Sequence, residues 1–89
     1  MRNKILEIVA KYDEVSYLNI ESLLKDIQKV RNVDLLEAYK IYLLSNEIIN
    51  KKDDIEFDIE LGIYKETSKI FLRRLEDKLD NILKGGNYG

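Results

Sequence analysis

The chain has 89 residues, room for one domain and one core, and its 15 Lys and Arg against 17 Asp and Glu leave a net charge of −2. That balance argues against a strongly cationic, histone-like nucleic-acid binder. Cys and His are absent, which removes disulfides, thiol chemistry, thiolate metal sites, the usual general base and the commonest metal ligand. Hydrophobic residues at 45 % and charged residues at 36 % make the balance of a folded chain rather than a disordered one. Abundant Lys and Glu without Cys resemble the composition of thermophile proteins. No apolar run approaches the roughly 20 residues that span a bilayer. Residues 1–10 carry Arg2, Lys4 and Glu7 and lack the apolar stretch of a signal peptide, so a cytoplasmic protein is expected.

In chain order, residues 3–12 place Ile5, Leu6, Ile8, Val9 and Tyr12 at three- and four-residue steps, the pattern of an amphipathic helix. Val15 and Tyr17 alternate with polar neighbours and suggest a short strand or extended connector. Asn19 is then a candidate N-cap for a second helix, with Glu21 in its first turn and Ile20, Leu23, Leu24, Ile27 and Val30 as its buried stripe. Arg31 and Asn32 mark a turn. Asp34 and Glu37 stand at capping-box spacing ahead of Leu35, Leu36, Tyr39, Ile41, Tyr42, Leu43 and Leu44, a third helix apolar around most of its girth and therefore central.

Beyond this the period changes. Ile55, Phe57, Ile59, Leu61 and Ile63 fall at every second residue with Glu56, Asp58, Glu60 and Gly62 between them, which predicts a strand with one dry and one wet face. Glu47-Ile48-Ile49-Asn50 is short and rich in β-branched residues, and Lys51-Lys52-Asp53-Asp54 has hairpin-loop length. The competing reading is helical, with Ile55, Ile59 and Ile63 stacked four apart and Gly62 against it. Thr67 or Ser68 can cap a last helix over 67–84, where Leu72, Leu75, Leu79 and Ile82 make a 3-4-3 seam with Phe71 and Leu83 alongside. Gly85 and Gly86 end it, and residues 85–89 read as a flexible tail.

The order helix, short strand, helix, turn, helix, hairpin, helix resembles a winged-helix (helix-turn-helix) domain, over roughly residues 3–64 and on the stretch LLSNEIINKKDDIEFDIEL above all. The resemblance implies a single α+β domain over residues 1–84 with an appended C-terminal amphipathic helix; an all-α helical bundle is the alternative. It also implies DNA binding, with the third helix in the major groove and the wing on the backbone. Local charge argues against that. Residues 47–64 set Lys51 and Lys52 against Glu47, Asp53, Asp54, Glu56, Asp58 and Glu60, a net −4, where phosphate contact calls for cations. Residues 34–46 offer only Lys40 against Asp34 and Glu37.

Catalysis is not expected. No Gly-rich phosphate loop or nucleophile elbow is present, and an EF-hand frame started at Asp53 puts Asp58 where Gly is needed and Tyr64 where Glu is needed. No cofactor, metal or small-molecule substrate is therefore expected. The leading expectation is a small adaptor or accessory subunit, possible within a nucleic-acid-handling complex, that meets a protein partner or a second copy through Phe71, Leu72, Leu75, Leu79 and Ile82. The same seam can instead fold back on the domain. The alternative is a dimeric DNA-binding transcription regulator, with phosphate contacts from Lys40, Lys51, Lys52, Arg73 and Arg74.

Overall fold

A computed structural model describes residues 1–12, 15, 16 and 18–84. Among them are four helices: α1 (Arg2–Ala10), α2 (Ile20–Val30), α3 (Leu35–Leu61) and α4 (Glu66–Leu83). No strand occurs among the described residues, so the α+β winged-helix architecture is overturned and the all-α alternative holds. Residues 47–63 are not a hairpin. They continue the third helix without a break to Leu61. Val15 lies in irregular backbone, and Tyr17 falls outside the described residues, as does the tail 85–89.

The alternation over 55–63 misleads because two periods share its residues. Ile55 and Ile59 are four apart and lie on one side of a helix, while Phe57 and Leu61, also four apart, lie on the other. A helix with apolar residues on opposite sides reads in one dimension as an alternating strand. Glu56, Asp58 and Glu60 between them tolerate helix, and no Pro interrupts it. Gly62 is the stop signal rather than a strand residue. Its φ of 74° is left-handed, Ile63 N–H donates to Asp58 O at 2.9 Å, and Gly62 N–H donates to Ile59 O at 3.1 Å. Those two bonds make a Schellman cap.

The other ends are set by local chemistry. Asp34 Oδ1 accepts Glu37 N–H at 2.7 Å, realising the expected cap of α3. Asn19 precedes α2, but its side chain turns backward: Oδ1 accepts Ser16 N–H at 2.8 Å and closes the loop instead. The N-cap position of α4 is Lys65, ahead of Thr67 and Ser68, and no side chain caps it.

α3 is the element on which the rest is built. Its inner face buries Ala38, Ile41, Ser45 and Ile48, and all three other helices pack on it. α1 contributes Ile5, Leu6 and Val9, α2 contributes Leu23, Leu24 and Ile27, and α4 contributes Leu79 and Leu83. The buried Ser45 hydroxyl donates to Ile41 O at 2.7 Å, so it adds no unsatisfied group to the core. At 1.5 Å per residue a helix of this length runs about 40 Å, close to the longest dimension of the molecule, 41 Å. Tyr12 Oη donates to Asp26 Oδ2 at 2.9 Å and ties the end of α1 to α2. Gln28 Nε2 donates to Val33 O at 3.0 Å across the α2–α3 turn.

Two predictions follow from these restraints. A Cβ at Gly62 would meet nothing within 4 Å, so Gly62→Ala costs only the left-handed backbone, about 1 kcal/mol; urea unfolding checks it, and Gly62→Asn should lose less. The hydrogen bond to Asp26 raises the Tyr12 phenol above its ordinary 10.0. A raised pKa contributes stability that is complete below the unfolded-state value and is lost as pH rises through the folded-state value. In an alkaline spectrophotometric titration one tyrosine should therefore ionise late, and Tyr12→Phe should remove that step.

Candidate interaction surfaces

α4 runs back along the outer half of α3, as shown by Lys52 Nζ 3.8 Å from Glu76 Oε2 and Lys51 Nζ 5.6 Å from the centre of the Phe71 ring. This pairing consumes most of the apolar seam of α4. Leu79 is wholly buried, and Leu72, Leu75 and Ile82 pack against the core. Of the five residues expected at an interface, Phe71 alone stays open, at 63 % exposure. The back-folded arrangement is the one the structure adopts for this seam.

The five cations proposed from sequence for phosphate do not act as one group. Lys51 covers Phe71 and Lys52 pairs with Glu76. Lys40 is exposed on the first half of α3. Arg73 and Arg74 are exposed on α4, and the helical ion pair that Arg73 and Asp77 can form by spacing is not made.

Arg2 is the residue that sequence reasoning missed. Its Nη1 lies 2.6 Å from Asp80 Oδ2 and its Nη2 lies 3.9 Å from Glu76 Oε2. The partners are 78 positions apart, so no local pattern announces them. The consequence is electrostatic. Arg2 and Lys52 take up Glu76 and Asp80, while Lys65, Lys69, Arg73, Arg74 and Lys78 stay exposed with no carboxylate within 4.0 Å among the described residues. Lys65, Lys69 and Arg73 form one row four apart, and Arg74 and Lys78 a second. Like charges at that spacing repel. α4 therefore presents, over about 20 Å, five exposed cations interspersed with the exposed acids Glu66 and Asp77.

A second surface lies on the far side of α3. Leu36, Tyr39, Leu43, Phe57 and Leu61 are all exposed, Leu36 by 64 % and Phe57 by 60 %. They recur at three- and four-residue steps and share one stripe opposite the buried face. The signal was present in the sequence, but only once 35–61 is read as a single helix. The surface hollows, one of them lined by Glu66, Lys69, Ile70, Leu72, Arg73 and Glu76, are open to solvent. Among the described residues no group of three or more Asp or Glu is placed to hold a metal ion, and no helix is long and apolar enough to cross a membrane. No protein-family model matches the chain, and no curated protein and no solved structure matches it.

The two ends of the α4 seam should respond oppositely to substitution. Leu79→Ala should cost about 2–5 kcal/mol and Leu79→Asp should abolish the folded state, whereas Phe71→Asp should leave a cooperative thermal melt by circular dichroism.

Proposed function

We propose that this protein is a dimeric, non-catalytic regulator that contacts nucleic-acid phosphate through α4. The observation that carries the reading is the set of exposed cations from Lys65 to Lys78, which outnumber the exposed acids Glu66 and Asp77 while Arg2 and Lys52 pair with Glu76 and Asp80. Such a surface gains by exchanging its counterions for a phosphate backbone. The acids that argued against DNA from a wing, Glu56, Asp58 and Glu60, stand on α3 and not on the helix that carries the exposed cations. Self-association occupies the exposed apolar stripe of α3, which α4 borders at Asn50 and Asp54, and leaves Lys65, Lys69 and Arg73 in solvent. One reading thus gives a role to both surfaces. It includes a cytoplasmic location, as the sequence suggests.

The second reading is an adaptor that lays the same α3 stripe on a larger protein. The exposure of Leu36, Phe57 and Leu61 favours it, but it leaves the cations of α4 without a role.

Salt dependence separates them. If about four phosphates are neutralised per dimer, affinity for duplex DNA should fall roughly 100-fold between 50 and 200 mM salt. Arg73→Glu with Arg74→Glu should remove most of the binding without changing helix content. No mobility shift at 50 mM salt would reject the regulator and leave the adaptor.

A further inference from the structure

The exposed stripe of α3 has a polar centre and apolar ends. Leu36 and Tyr39 lie at one end, Phe57 and Leu61 at the other, and Asn46 and Asn50 between them, all at three- and four-residue steps. We propose that the occupant of this stripe is a second copy of the chain, its α3 running antiparallel about a two-fold axis at the level of Ile48 and Ile49. The inference deepens the dimeric part of the reading above and does not depend on what α4 binds.

The stripe is self-complementary about that point. An isologous contact requires that if residue i meets residue j, then j meets i. Folded about Ile48–Ile49, Leu36 meets Leu61, Tyr39 meets Phe57 and Asn46 meets Asn50, so apolar side chains meet apolar ones and amide meets amide. Leu43 faces Asp54, the one mismatched pair.

Charge at the flank selects this register. Lys40, Glu47, Lys51 and Asp58 lie along one edge of the stripe, and a perpendicular two-fold axis brings that edge against its own copy. Lys40 then meets Asp58 and Glu47 meets Lys51, two opposite-charge pairs, each occurring twice. None of the four has an ion-pair partner within the chain among the described residues, although Lys51 also lies over the Phe71 ring of α4, which borders this edge at Glu47 and Lys51. Sliding by one turn in one direction sets Glu47 against its own copy. Sliding in the other sets Lys51 against its own copy and Glu47 near Asp54. A parallel pairing would set Asp53 and Asp54 against themselves. Those alternatives are penalised by like charge, which is how paired helices commonly discriminate registers.

The chain has no Cys, so introduced thiols report contacts without background. Asn46→Cys and Asn50→Cys chains, mixed and treated with a short thiol crosslinker, should join to each other. Leu36→Cys should join Leu61→Cys in a mixture and should not join itself. Lys40→Asp or Asp58→Lys alone should weaken the dimer about fivefold by sedimentation, and the two together should restore it. Self-joining of Leu36→Cys, or crosslinks confined to α4, would overturn the register while leaving a dimer. A protein that stays monomeric at 100 μM (roughly the upper end of the range usual for assays of weak association) would overturn both. DNA binding is scored separately, so its failure leaves the register standing.

Discussion

The molecule depends on one continuous helix. α3 must run unbroken from Leu35 to Leu61, because its inner face supplies the surface against which α1, α2 and α4 bury their apolar residues. α1, of nine residues, and α2, of eleven, are too short to persist alone in water. They gain stability from the stripe of Ala38, Ile41, Ser45 and Ile48. The outer half of α3 packs against α4, which meets it at Lys51 and Lys52. The Schellman cap at Gly62 reverses the chain where that pairing requires it.

Charge is divided between the two long helices with the same economy. The second half of α3 is acidic and α4 balances four basic residues against four acidic ones, yet few of these groups pair across the hairpin. The contacts formed are Lys52 with Glu76 and Arg2 with Glu76 and Asp80. Partly exposed pairs of this kind contribute modestly to stability. Their larger effect is on what remains: acids concentrated on the second half of α3, exposed cations on α4, and an apolar stripe with an edge of mixed charge. These surfaces, more than any pocket, are what the protein has to work with.

Much of the core was readable in one dimension. Ile5, Leu6 and Val9, then Leu23, Leu24 and Ile27, repeat at helical spacing and are buried as expected. The Asp34 cap was readable because a carboxylate three residues before a backbone N–H is a local geometry. Residues 55–63 were not. Ile55 is half-buried and Phe57 exposed on opposite sides of the same helix, and a sequence records only that both are apolar. The α4 seam showed its periodicity plainly, but Leu79 is as well suited to α3 as to a second molecule.

The sequence by itself determined where the apolar stripes of α1, α2 and α4 lie and where Asp34 starts α3, because those depend on residue type and on neighbours within a turn. The tertiary structure decided which stripe is buried and which acids are neutralised. Those outcomes rest on contacts between residues far apart in the chain, Arg2 with Asp80 above all. No local period encodes such a contact. It exists only when packing on α3 brings the first helix and the last together.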